Sequence, residues 1–259
     1  FMAQTEKPVV RLKQPTLWLN PGIFIIYGAA LDAQTHKHHA IQFVWPNANS
    51  YCQFNEQEMS GPFMINSQVS HQLKLEGGWV LLVEPNSDLG QQLSQQLAKQ
   101  DSVSLSCYTP QKKTPPEPQD DPTSWLSPLF TELALSFEYG AENSSVSDPR
   151  IQQLITRLNE CLPGECLKPA SWRASEVAEG LSLSESRFLH LFSEQMGIAW
   201  RPYLLWHRMI CAVNALMKGS SVTDAAHMAG FSDSAHLSRT FRSHFGMSIR
   251  QSQAIFSSQ

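Results

Sequence analysis

Ser184-Glu185-Ser186-Arg187-Phe188-Leu189-His190-Leu191-Phe192, closed by Gly197, returns 49 residues later as Asp233-Ser234-Ala235-His236-Leu237-Ser238-Arg239-Thr240-Phe241, closed by Gly246. In each copy two apolar residues one helical turn apart follow a polar N-cap, and a glycine sits where a helix would stop. Ahead of each copy lies a short alanine-containing segment (Ala178; Ala225 and Ala226) and then a glycine (Gly180; Gly230). A repeat of this size is one supersecondary unit used twice, and the spacing predicts two helix-turn-helix units in tandem. In such a unit a small residue on the first helix lets the second pack across it, and the second offers its polar face to the DNA major groove. The predicted groove-facing positions are Ser186, Arg187 and His190 in the first unit. In the second they are Ser234, His236, Ser238, Arg239 and Arg242.

Working outward, everything from Asp148 reads as helix. Asp148 caps, Pro149 takes the first turn, and Ile151, Leu154, Ile155 and Leu158 share a face until Pro163-Gly164. Ser171 or Ser175 starts a short helix. Pro202 opens a long one whose stripe is Trp206, Met209, Ile210, Val213, Leu216 and Met217, ending at Lys218-Gly219. Val222 to Ala229 forms another short helix, and the last helix buries Leu237, Phe241 and Phe245. The net charge of −4 hides an asymmetry: residues 1–149 hold 8 Lys and Arg against 15 Asp and Glu, whereas residues 150–259 hold 11 against 8. Most of those C-terminal cations are arginine, the side chain suited to forked recognition of phosphates and guanine edges.

The repeat, with Leu191-Phe192, Gly197, Tyr203-Leu204, Arg208-Met209 and Ala229-Gly230-Phe231-Ser232-Asp233, resembles the arabinose-regulator (AraC/XylS) family of bacterial transcription factors over about residues 148–250. The resemblance implies two recognition helices on one polypeptide, placed in successive major grooves about 34 Å apart. It implies double-stranded promoter or operator DNA as partner, RNA polymerase as a second, and activation as the expected mode. The family's base-reading arginine maps onto Arg239, with Ser234, Ala235 and His236 beside it. In the first unit His190 stands where arginine is usual, and the proline expected after the last glycine is absent from Met247-Ser248-Ile249.

The N-terminal half obeys a different rule. Leu17–Leu19, Ile23–Tyr27, Ile41–Trp45, Phe63–Ile65 and Trp79–Val83 are short β-prone runs separated by Pro, Gly and Asn, which predicts a sandwich or barrel. A helix follows with Leu89, Leu93 and Leu97, capped by Ser87 or Asp88, and a second is predicted over Ser124–Tyr139. The apolar stripe of that second helix would pack on the barrel or, as the sharper expectation, on a second copy of the chain. Thr109–Thr123 carries five prolines and reads as an extended loop without internal hydrogen bonds. The expected fold is α+β: a cupin-like β-barrel with flanking helices over 1–140, a linker at 141–147, and an all-α domain over 148–259 with two helix-turn-helix units joined by a long helix.

Family members often carry such a barrel as a sensing or dimerising domain. His36-Lys37-His38-His39-Ala40-Ile41-Gln42 puts His36, His38 and Gln42 on one strand face with His39 turned away, and a neighbouring strand could add His71. Metal cupins surround a transition metal with an H-x-H pair, an acid and a distant histidine; here Gln42 holds the acid's place. Three readings stay open: a divalent transition metal on His36, His38 and His71, a small organic effector with those histidines as donors, or a hydrogen-bonded barrel interior that only supports dimerisation. The chain is expected to be a sequence-specific transcriptional regulator and no enzyme, although a cupin enzyme fused to a DNA-binding module is the rival class. No catalytic constellation accompanies the histidines.

With 42% hydrophobic and 16% charged residues the composition is globular. The longest apolar stretch, Ile23–Ala30, is far short of a membrane span, which predicts a cytoplasmic protein without a membrane partner. Five cysteines without C-x-x-C spacing are read as reduced thiols, with a Cys161–Cys166 switch as a minor option.

Overall fold

The computed structural model describes residues 14–139, 146–160 and 172–256. Ten strands come first: β1 (Thr16–Asn20), β2 (Ile23–Tyr27), β3 (Leu31–His36), β4 (Ile41–Pro46), β5 (Cys52–Phe54), β6 (Gln57–Glu58), β7 (Phe63–Ile65), β8 (His71–Leu75), β9 (Gly78–Val83) and β10 (Ser102–Ser104). They form two antiparallel sheets, ordered β1-β2-β9-β4-β7-β10 and β3-β8-β5-β6. Strands β2, β4 and β9 are apolar almost throughout because both faces of their sheet are covered. Successive side chains alternate between two cores. Phe24, Ile26, Val44, Val80 and Leu82 point into the barrel, while Ile25, Phe43, Trp45, Trp79 and Leu81 point outward under two helices.

Those covering helices are α1 (Asp88–Leu97) and α2 (Thr123–Glu132). Ser87 caps α1 by accepting the Gly90 N–H, and Leu89, Leu93 and Leu97 are buried as their spacing predicts. Helix α2 is shorter than expected and does not reach Tyr139. Its last turn ends where Ala134 takes φ +55°. The backbone beyond is held by α1: Gln92 bonds both the N–H and the carbonyl of Ser136, and Gln96 donates to the Leu133 carbonyl. The dimer-face expectation is corrected with it, since Leu126, Leu129 and Phe130 are buried on the barrel's own outer core. The proline-rich loop is extended over the sheet, with the Trp18 indole donating to Asp120 O at 2.9 Å. It is not free of internal bonds, however. One turn closes through Asp120 N to Glu117 O and Glu117 N to the Asp120 carboxylate.

The helical part comprises α3 (Pro149–Asn159), α4 (Ala174–Gly180), α5 (Glu185–Met196), α6 (Trp200–Met217), α7 (Val222–Met228), α8 (Ser234–Phe245) and α9 (Ile249–Phe256). The repeat is reproduced in three dimensions. Helices α5 and α8 are each 12 residues long, and their C-caps Gly197 and Gly246 share φ +67°. Asp148 caps α3 and Ser184 caps α5, as expected. Three details differ. Arg173 precedes α4 without a side-chain cap in place of Ser175, and Ser171 lies outside the described residues. Helix α6 starts at Trp200, so Pro202 falls inside its first turn, where a missing N–H costs no helical bond. Helix α9 was not foreseen; Ser248 accepts the Gln251 N–H while the Gln251 side chain accepts the Ser248 N–H, a capping box.

Helices α3, α4 and α5 share a core with Trp200, Tyr203 and Leu204 of α6. The second unit does not have a core to itself: Trp206, Met209, Val213, Leu237, Phe241 and Met247 are continuous with the barrel interior. Val146 is buried in the α3 core, while the linker residues 141–145 lie outside the described residues. Among the described residues Cys52, Cys107 and Cys211 form no disulfide, and burial pushes Cys52 up to about 12; Cys161 and Cys166 lie outside the described residues. Among the described residues no helix is long and apolar enough to cross a membrane.

Candidate nucleic-acid interface and barrel cavity

Helices α5 and α8 each carry a buried stripe, Phe188, Leu191 and Phe192 or Leu237 and Phe241, which fixes the face left to solvent. Ser186, Arg187 and His190 are exposed on α5, and Ala235, Arg239 and Arg242 are exposed on α8. The other three predicted positions are half-buried. Ser238 spends its hydroxyl on the Ser234 carbonyl, and the His236 ring packs edge-on against Phe231 with Ser232 Oγ 3.2 Å from its Nδ1. One exposed apolar residue of α5 escaped the sequence reading: Leu189, 36% exposed between Ser186 and His190. Its signal was an apolar residue off the Phe188–Leu191–Phe192 stripe, the kind of side chain that meets a thymine methyl.

The barrel mouth is closed by the second unit. Gln34 on β3 donates its N–H to Gly246 O at 2.8 Å, and Lys37 N–H reaches Ser243 O at 3.4 Å. This approach needs a glycine, because a Cβ at Gly246 would stand 2.1 Å from Gln34 O and 2.8 Å from His36 Nδ1. The Trp206 ring lies 5.7 Å from His38 and 6.0 Å from His244, and His39 stands edge-on to Tyr203. His39 thus turns away from the other histidines as expected, but into this junction and not toward water. Burial pushes it down to about 4. Glu84, just after β9, accepts from the Tyr203 hydroxyl at 3.5 Å. Its burial raises it to about 7, with Tyr203 and Trp206 pulling it partly back.

His36, His38, Gln42 and His71 are brought together as expected, though by a different route from one straight strand. His36 ends β3, His38 lies in the connection to β4, Gln42 is on β4, and His71 pairs with His36 from β8. All four are buried. Each ring is pinned by a backbone carbonyl two residues away: His36 Nδ1 to Gln34 O at 2.8 Å, His38 Nδ1 to Ala40 O at 3.0 Å, and His71 Nδ1 to Val69 O at 2.9 Å. Burial and mutual repulsion push His36 down to about 4 and His38 to about 3, and burial lowers His71 as well. The rings are therefore neutral at pH 7. A carbonyl can only accept and each neutral ring carries one proton: placed on Nδ1 it serves the backbone carbonyl and leaves Nε2 with a lone pair, which in His38 and His71 faces Gln42 Oε1.

Next to them lies a cavity of about 80 Å³. Its barrel wall includes Leu17, Phe24, Ala33, Leu73 and Leu82, and its roof is Val213, Met217, Phe241, Phe245, Met247 and Phe256 from the helical part. The polar groups facing it are His36, His38, Gln42 and Ser252.

Residues 177–254 match a family described as a helix-turn-helix domain. The HTH-type transcriptional activators RhaS of Escherichia coli strain SE11 and strain K12 / DH10B are both 34% identical over 125 residues, 47% of this chain and 43% of the relative. The C-terminal part of the chain is thus similar to helix-turn-helix transcriptional activators. The chain spans less than half the length of those curated relatives. The likeness in fold extends further: an apo ToxT variant from Vibrio cholerae strain SCE256 superposes with a TM-score of 0.53 at 12% identity, over 92% of this chain and 98% of that one. ToxT from Vibrio cholerae O395 gives 0.50 at 10% identity, over 95% and 98%. The sheet-rich N-terminal domain followed by paired helix-turn-helix units is thus an architecture seen in another solved protein.

Proposed function

We propose that the chain is a sequence-specific, DNA-binding transcriptional regulator that works in the cytoplasm on promoter or operator DNA, acts by binding and not by catalysis, and activates through contact with RNA polymerase. The observation that carries this reading is the pair of 12-residue helices α5 and α8, in the same internal register, each with its polar face outward. Helix α6, 18 residues long, ties the two units together as a rod. Arg239, Arg242 and Ala235 form the reading face of α8, and Arg187, Ser186, His190 and Leu189 that of α5. Selection of bound fragments from a random DNA pool tests the reading: a two-part consensus with one half lost in Arg239→Ala supports it, and recovery of unenriched DNA overturns it.

The position of the cavity supports a sensing role for the barrel. A ligand held there contacts the barrel and the second unit together, so its affinity differs between docked and separated arrangements, which is the condition for control by a small molecule. Ligand pockets usually enclose roughly 300–1,000 Å³. At about 80 Å³ this one takes a larger effector only when the second unit moves off the barrel. A homodimer would use a face other than α2, whose apolar stripe is already covered.

A further inference from the structure

We infer that His36, His38, His71 and Gln42 form a binding site for one first-row divalent transition metal ion. One ring nitrogen from each histidine lies within 4.8 Å of those of the other two, and all three side chains are buried. Gln42 Oε1 stands 3.0 Å from His38 Nε2 and 3.1 Å from His71 Nε2. With every Nδ1–H spent on a carbonyl, these contacts set lone pairs against lone pairs. Oxygen and nitrogen acceptors crowded at hydrogen-bond distance repel unless something positive lies among them. A cation coordinated by the three Nε2 atoms and the amide oxygen removes the conflict with no change of tautomer.

The arrangement has the other marks of a ligand set. Metal-bound imidazoles donate their second nitrogen to a carbonyl or carboxylate, which fixes ring orientation, and all three rings already do so. Nitrogen-rich donors select zinc, cobalt, nickel, copper or ferrous iron over calcium and magnesium, which take oxygen ligands. The donors come from both sheets, Gln42 from one and His36 and His71 from the other, so a bound ion would clip the two sheets together at the mouth. The competing arrangement is an amide turned end for end, donating one N–H to His38 and one to His71. That arrangement satisfies the pair without an ion and predicts no metal uptake.

The two are separated by titrating Co²⁺ into the full chain, prepared without a histidine tag and stripped by a chelator. One cobalt per chain with saturable visible d–d absorption is expected, lost in His38→Ala and in His71→Ala. Because those variants could fail by misfolding, Gln42→Glu is the decisive partner: a carboxylate in place of the amide should tighten binding by at least about tenfold, a gain that an unfolded barrel cannot give. Wild-type uptake no greater than that of His71→Ala, or Gln42→Glu binding no tighter than wild type, overturns the site. DNA selection by the metal-free protein is read separately, so failure here leaves the DNA-binding reading standing.

Discussion

Replacing Gly246 by alanine probes the junction between barrel and DNA-binding part, and the internal repeat supplies its own control. Gly197 has the same φ of +67° at the same place in the first unit, but a Cβ there meets nothing within 4 Å. Gly197→Ala should therefore cost only the penalty of an L residue in the left-handed region, roughly 1–2 kcal/mol. Gly246→Ala pays that and more. The Cβ would stand 2.1 Å from the Gln34 carbonyl oxygen, a backbone atom that cannot swing aside, so α8 must retreat from β3. Retreat breaks the 2.8 Å bond from Gln34 N–H to Gly246 O, at a further cost of roughly 1–3 kcal/mol for the stranded groups. The expected order is about 3 kcal/mol for Gly246→Ala against about 1.5 for Gly197→Ala. Urea unfolding followed by tryptophan fluorescence gives both values, since Trp206 sits in the junction, and hydrogen exchange at the Gln34 amide reports the broken bond. Equal losses in the two variants, or an unchanged Gln34 amide in Gly246→Ala, would refute the docked arrangement.

Further outcomes follow from the same geometry. Arg239→Ala should weaken binding to a selected site by roughly 1–3 kcal/mol and relax base choice at one position, with the unfolding midpoint unchanged because the side chain is exposed; fluorescence anisotropy on matched and mismatched duplexes checks it. Glu84, raised from its ordinary 4.5 to about 7, binds its proton more tightly folded than unfolded, so its burial is tolerated below pH 4.5 and costs stability as pH climbs toward 7. Glu84→Gln should consequently be more stable than wild type by roughly 3 kcal/mol at pH 8, with the gain fading as pH falls through 7 toward 5; the difference between the two unfolding curves isolates this from the histidines, which titrate in the opposite sense. Ser248→Ala removes the capping box of α9 and should cost about 1 kcal/mol, loosening Phe256 over the cavity, as hydrogen exchange in Ile249–Phe256 would record.

The helix-turn-helix pair was legible because each unit states its fold locally, through a cap, an i, i+4 apolar pair and a closing glycine. The central strands were legible because they are buried on both faces and read as unbroken apolar runs. Strands β5 and β6 were not, since Cys52–Phe54 and Gln57–Glu58 are too short to carry a period. Helix α9 escaped because its 8 residues make barely two turns and bury only Ile249, too little to carry a helical period. The end of α2 depends on two glutamines of α1, a tertiary effect that no periodicity over Ser124–Tyr139 contains. The histidine cluster could be anticipated from its spacing, yet which nitrogen faces inward could not, because the carbonyls of Gln34, Ala40 and Val69 decide it. The docking of the second unit was likewise hidden: the stripe through Trp206 and Met209 announces burial without naming the surface that covers it.

Hydroxyl-radical footprinting of the chain on a selected duplex tests the central claim most directly. Two protected segments on one face of the DNA, centred about 10–10.5 base pairs apart, are expected, with the segment under α8 lost in Arg239→Ala and the other in Arg187→Ala. A single protected segment, indifferent to substitutions on α5, would contradict it.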